Sequence, residues 1–141
     1  MPCIELSLPK VDQQVKTSLA VELTEAFCSA TGHPAEIFGI RFFEYEPGAA
    51  AMGGKLCEDS RTKPYLHMVV YSPRLKRSVK QKLGAALTSA LARASKQSDW
   101  VPVIHLCEHP FDNVIVNGKL LSDAYEECAK RSFYYELPKD S

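Results

Sequence analysis

Pro2 is the residue of this sequence with the most distinctive chemistry to offer. Once Met1 is removed, a terminal proline carries a secondary amine outside any peptide bond, able to take or give a proton. An α-amino group titrates near pH 8, and an apolar pocket or a neighbouring cation lowers that by about one unit or more. The amine then becomes a base poised near neutral pH, where proton transfer is most efficient. Cys3, Ile4 and nearby aromatic residues are the expected apolar wall. The competing explanation is plain: proline in second position also serves methionine removal and N-terminal stability. With Met1 retained, the nitrogen is an amide and has no useful basicity.

The other reactive side chains form no motif. Cys3, Cys28, Cys57, Cys107 and Cys128 are odd in number, scattered and without a C-x-x-C. They read as reduced thiols of a cytosolic protein, with neither disulfide framework nor zinc site. His33, His67, His105 and His109 do not have metal-ligand spacing; His105 and His109 are four apart, in a strand running into a turn. The chain balances 17 Lys+Arg against 17 Asp+Glu, so nothing electrostatic points to nucleic acid or an anionic membrane. The start of the chain lacks a signal-peptide pattern and no apolar run reaches membrane-spanning length. The expectation is a cytoplasmic protein with no cofactor and no metal.

A repeat shows which elements hold these residues. Shifting the sequence by 64 positions lays Pro9-Lys10 on Pro73-Arg74, Val15-Lys16 on Val79-Lys80 and Leu19 on Leu83. Leu23-Thr24 then meets Leu87-Thr88, Ile40 meets Ile104, and Glu44 meets Glu108. Leucines at helical spacing coincide by chance, whereas a matched proline before each helix and a matched glutamate after each second strand do not coincide so easily.

Each half reads as strand, helix, strand. Ile4, Leu6 and Leu8 alternate with polar residues as a strand does. Pro9 breaks it, Asp12 opens a helix to about Thr31, Gly32 stops it, and 37–45 is a β-branched and aromatic strand. In the second half 65–71 is a strand, 74–98 a helix, and 100–106 the closing strand. The stretch 46–64 reads as a turn and connecting loop. A short strand at 114–116 turns at Asn117-Gly118, and a last helix covers about 123–131. A single domain of 1–141 follows, with pseudo-repeats 2–46 and 65–110 and a C-terminal hairpin and helix in 111–141. Its fold class is α+β, two fused β-α-β units giving a four-stranded mixed sheet with both helices on one face. The other sheet face still needs cover, and further subunits are the economical answer.

This plan, with proline behind the initiator methionine, resembles the tautomerase superfamily over roughly residues 2–120. Glu22 to Pro34 looks like the first helix and its exit in macrophage migration inhibitory factor, and Gly53-Gly54 matches a family habit. His67 to Arg74, Trp100-Val101 and Glu108 to Pro110 are most similar to the cis-3-chloroacrylic acid dehalogenase-like subgroup. The resemblance implies a homotrimer with a pocket at each subunit boundary and Pro2 at its floor. It implies that Arg74 grips a substrate carboxylate, a task suited to a planar guanidinium. Against this, Arg74 is equally readable as part of a solvated basic helix start with Lys76, Arg77, Lys80 and Lys82. Arg77 is the alternate should the register slip, and Lys10, its repeat counterpart, reads as a surface residue.

Three departures from the subgroup decide the reaction. Its helix histidine falls at Phe27, its second carboxylate-binding arginine at Tyr71, and its water-activating acid at Val116. Hydrolytic dehalogenation is therefore not expected. Keto–enol tautomerisation of small 2-oxo acids demands less: one base and one or two donors for the carboxylate and developing enolate. Pro2, Arg74, Tyr71 and His105 could meet it, with His105 alternatively a satisfied strand histidine. Arg41 is either a pocket cation for a neighbouring subunit or a sheet-edge residue. Two alternatives stand beside the tautomerase: a hydratase or decarboxylase of small unsaturated or β-oxo acids, and a non-enzymatic trimeric binding protein. Phe133, Tyr134 and Tyr135 are expected to pack on a neighbouring subunit.

Overall fold

The computed structural model describes residues 2–58 and 63–124 of the chain. Two helices pack together on one face of a four-stranded sheet, and the sheet order is β2-β1-β5-β6. The strands are β1 (Cys3–Pro9), β2 (Gly39–Tyr45), β5 (His67–Ser72) and β6 (Val103–Glu108). Short hairpins, β3 (Ala51–Met52) with β4 (Lys55–Leu56) and β7 (Ile115–Val116) with β8 (Lys119–Leu120), close each half. Within each half the strands are parallel, β1 to β2 and β5 to β6, and the halves meet through antiparallel β1 and β5. This is the mixed sheet expected from the sequence.

The 64-residue repeat is built into the backbone. Helices α1 (Gln13–Thr31) and α2 (Arg77–Ser95) are both 19 residues long and start 64 positions apart. Leu19, Leu23 and Phe27 of α1 match Leu83, Leu87 and Leu91 of α2, and all six are fully buried. Beneath them lie Ile4, Leu6 and Leu8 of β1 and Met68 and Val70 of β5, also at 0% exposure. Alternation does this: the even-numbered side chains of both strands meet the helices, and the odd-numbered ones stand on the open face.

The ends of the helices are set by different means. Asp12 caps α1 by accepting a hydrogen bond from Val15 N at 2.8 Å, and Gly32 leaves it in the left-handed region at φ 80°. At the matching positions α2 has Lys76, which makes no side-chain cap bond, and Lys96 at φ 59°. The matched glutamates explain why the pattern survives at those places. Glu44 Oε2 accepts from Val11 N at 2.9 Å and its Oε1 from Lys16 Nζ at 2.8 Å. Glu108 repeats both contacts with Leu75 N and Lys80 Nζ, each at 2.6 Å. Each glutamate thus ties the end of a second strand to the beginning of its own crossover helix, supplying a charged acceptor to the N–H of the residue before the helix cap.

Several boundaries move from their sequence positions. The expected strand 37–45 begins at Gly39 because a 3-10 turn occupies Ala35–Ile37. The second helix runs Arg77–Ser95 rather than 74–98, so Arg74 lies in the loop before it. The closing strand starts at Val103, after Trp100–Pro102, and extends to Glu108. The segment read as a connecting loop contains the β3–β4 hairpin, which turns at Gly53 (φ 57°) and Gly54 (φ 80°). Asn117 (φ 53°) and Gly118 (φ 77°) repeat that turn 64 positions later, so the repeat extends through the hairpins. Helix α3 is Leu121–Ala124; the remainder of the helix expected at 123–131, with Phe133, Tyr134 and Tyr135, lies outside the described residues.

Candidate active site at the Pro2 end of the sheet

Topology gathers the chemistry at one end of the sheet. Because β1 and β5 run antiparallel with Cys3 opposite Tyr71, the start of β1 meets the finish of β5 and the loop carrying Arg74. Parallel pairing brings the start of β2, behind the α1 exit, beside the start of β1, with Cys3 opposite Gly39. It likewise brings the finish of β6 beside that of β5, with Ser72 opposite Glu108. Pro2, His33, Phe38, Tyr71, Arg74 and His109 therefore belong to one end of the molecule.

Pro2 is buried there, and its carbonyl accepts Gly39 N at 3.3 Å. The wall is aromatic. Phe27 stacks on Phe38 with centroids 4.4 Å apart, and His33 stacks on Phe27 at 5.9 Å. Where the dehalogenase-like pattern has a helix histidine, this chain has a fully buried phenylalanine with an imidazole lying against it. Ser72 and Pro73 are buried, and the Ser72 hydroxyl donates to Pro73 O at 2.9 Å. The Arg74 Nε is buried as well.

Both histidines at this end are held neutral. Burial pushes His33 below its ordinary value, and the positive charge of the amino terminus pushes the same way. His109 is lowered by the same two causes in the same order, against an opposing hydrogen bond from its ring to the Cys107 carbonyl. Its Nε2 is buried without a hydrogen-bond partner among the described residues. Burial raises the Cys3 thiol, and Glu5 adds to this, so that thiol stays protonated near neutrality.

Tyr71, His105 and Arg41 sit on the open sheet face. Tyr71 is beside Cys3, and the Glu5 carboxylate foremost, then burial, keeps its phenol above the ordinary value. His105 is two residues short of Cys107, exposed, with Nδ1 2.7 Å from His67 Nε2. It is an outward-facing strand histidine, not an interior one, and within one chain it is not brought to Pro2. Arg41, on edge strand β2, pairs with Glu5 and lies over the Phe43 ring at 5.5 Å. Arg77 opens α2 and is exposed. Val116 is on β7. Among the described residues no three His, Cys, Asp or Glu side chains could hold a metal, and no helix is long and apolar enough to cross a membrane.

His33 and His109 are the residues that motif-hunting passes over. A signal for them existed: His33 follows the glycine that ends α1, and His109 follows the repeated glutamate. The repeat and the parallel pairing together send both to the end of the sheet where β1 begins.

No family model matches the sequence, and no curated protein matches it. Solved structures do. Native fused 4-OT superposes with a TM-score of 0.76 at 20% identity, covering 89% of this chain and 99% of that one. Malonate semialdehyde decarboxylase gives 0.72 at 18% identity, with 89% and 98% covered. Pt0534, solved after inactivation by 2-oxo-3-pentynoate, gives 0.74 at 18% identity, with 86% and 97% covered. The chain has the fold of the tautomerase superfamily, in its two-unit, fused form. The repeat counterpart of Pro2 in that fold is Leu66, 2% exposed, whose carbonyl accepts Val103 N at 2.9 Å as Pro2 accepts Gly39 N. Only the first unit begins at the amino terminus.

Proposed function

We propose that this chain is a cofactor-independent enzyme of the tautomerase superfamily in which Pro2, freed by loss of Met1, interconverts enol and keto forms of small 2-oxo acids. The observation that carries the reading is a buried Pro2 at the end of the sheet that also holds the Phe27–Phe38 stack and two histidines whose pKa values burial lowers. A free amine there loses solvation of its ammonium form and titrates toward neutrality. It takes the enol O–H proton as the oxygen becomes a carbonyl, and the new ammonium gives a proton to the adjacent carbon. Arg74 is assigned to the substrate carboxylate and Tyr71 to a second hydrogen bond. His105 stands opposite Val69, three residues along the sheet from Ser72 at the Pro2 end, so its role would be toward a neighbouring subunit's site.

That last assignment needs the homotrimer, which the assemblies named for the fused 4-OT structures support. Phe43 and Val103, 48% and 43% exposed on the open face, give such an assembly apolar surface to cover. Sedimentation of a species roughly three times the chain mass would bear this out, and a monomer would remove His105 from the site.

The kinetic test compares wild type with Pro2→Ala on phenylpyruvate enol, after intact mass shows Met1 lost. A fall in kcat/KM of about 100-fold or more is expected, within the usual range for a general base. Equal rates would end the proposal. The likeness to malonate semialdehyde decarboxylase, whose structure is described as a basis for decarboxylase and hydratase activities, sustains a second reading. There a protonated Pro2 acts as general acid on a β-oxo or acetylenic acid, and release of carbon dioxide or a hydrated ketone identifies it. A non-enzymatic trimeric binding protein is the outcome if neither activity depends on Pro2.

A further inference from the structure

We infer that His109 is a positioning residue for the Pro2 amine: its Nε2 accepts the amine N–H and so aims the remaining lone pair at the substrate. The inference rests on the proposed role of Pro2 and adds a residue to it. Continuing the β1–β5 register by one residue sets Pro2 opposite Ser72. Ser72 is opposite Glu108 on its other side, and its carbonyl accepts His109 N at 3.0 Å. Pro2 and His109 are therefore held at the same level of the sheet by one shared neighbour.

The Nε2 of this ring is buried with no hydrogen-bond partner among the described residues, and in the tautomer protonated on Nδ1 it is an acceptor. A buried acceptor without a donor is costly, and no side chain of the described residues supplies one. Pro2, set opposite Ser72 by the continued register, is the group at this level of the sheet that gains an N–H once Met1 is lost. A secondary amine has one N–H and one lone pair, so fixing the first directs the second.

The other charged and titratable groups at this end do not take the role. His33 is turned against Phe27, and Cys3 is a thiol raised by burial. Glu108 is engaged by Leu75 N and Lys80, and Arg74 is a cation with no lone pair to offer. Protonated Pro2 keeps the same bond to Nε2, now charge-assisted, so His109 raises the amine's affinity for a proton against the effect of burial.

The test titrates the Pro2 amine by NMR in protein labelled with 15N-proline, for wild type, His109→Phe, His109→Gln and His109→Asn. Pro2 alone among the prolines has a titrating nitrogen. The expected result is a Pro2 pKa about one unit lower in the phenylalanine variant, as for loss of a hydrogen bond to a charged group. Glutamine places an amide oxygen near the Nε2 position and should restore most of it. Asparagine reaches only the Nδ1 position and should behave as phenylalanine does, which keeps the comparison decisive even if the phenylalanine variant fails to fold. On phenylpyruvate enol, kcat should fall about tenfold in the phenylalanine or asparagine variant with KM within about twofold. A Pro2 titration unchanged in both, or equal in all three variants, overturns the inference. A Pro2→Ala enzyme of undiminished rate would instead overturn the catalytic reading, because the NMR titration measures the contact without any turnover.

Discussion

Histidines whose pKa is lowered by burial have a cost that appears as pH dependence. His33 and His109 both titrate below their ordinary value of 6.5 in the fold, chiefly because burial disfavours their charged forms. Above the unfolded value neither state binds the proton and they contribute nothing to the pH dependence. As pH falls below about 6.5 the unfolded chain gains protons first, so stability declines until the folded pKa values are passed. Glu44 acts lower down. Its carboxyl is held below 4.5, first by the Lys16 hydrogen bond and then by that from Val11 N, so its contribution is lost as pH falls through the acid range. Urea midpoints measured between pH 7.5 and 5 should therefore fall for wild type and flatten in the His33→Phe/His109→Phe double variant. A wild-type midpoint constant over that range would contradict the assignment of both rings as neutral. Pro2 and Arg74 are the candidates that residue type and resemblance point to; His109 is not among them, because its proposed role comes from a sheet neighbour that no side-chain motif encodes.

At the scale of elements, the glutamate clamps decide how firmly the site loops are held. Glu108 Oε2 receives Leu75 N, one residue from Arg74, so the clamp also fixes the loop that carries the candidate carboxylate ligand. Glu108→Ala should cost about 2 kcal/mol by chemical denaturation and raise KM for a 2-oxo acid several-fold. Glu44→Ala, whose loop carries no site residue, should lower the denaturation midpoint by less than Glu108→Ala does and leave KM alone. Equal KM effects would show that the clamp does not position Arg74. The C-terminal caps offer the opposite change. Lys96 sits at φ 59° where α1 has Gly32, so Lys96→Gly should stabilise by about 0.5–1 kcal/mol, read as a raised denaturation midpoint. No gain would mean that the lysine makes a compensating contact. The helices and strands were legible because their alternations are strong, and Asp12 and Gly32 are caps that a sequence displays openly. The β3–β4 hairpin was hidden by its shortness. Two paired residues on each side carry no periodicity, and only the Gly53-Gly54 turn, matched by Asn117-Gly118, marks it.

For the whole molecule, the fold explains why there is one candidate base per chain and not two. Two β-α-β units share a backbone plan down to the Leu66 carbonyl bond, and on the proposed loss of Met1 the first unit alone would have a free amine where the second has a peptide nitrogen. The sequence makes the two-unit plan visible through its repeat, and the open sheet face through its alternation. It does not show what would cover that face, since Arg41, Phe43, His67, Val103 and His105 read as ordinary surface residues.

The central claim is that the Pro2 nitrogen is a free, nucleophilic amine at this site, and covalent labelling tests it most directly. The protein is incubated at pH 7 with 2-oxo-3-pentynoate, the compound that inactivates Pt0534, and adducts are located by peptide mass spectrometry. The account predicts one adduct per chain, on the N-terminal peptide at Pro2, together with loss of tautomerase activity. A retained Met1, a blocked terminus, or an unlabelled Pro2 under those conditions would contradict it.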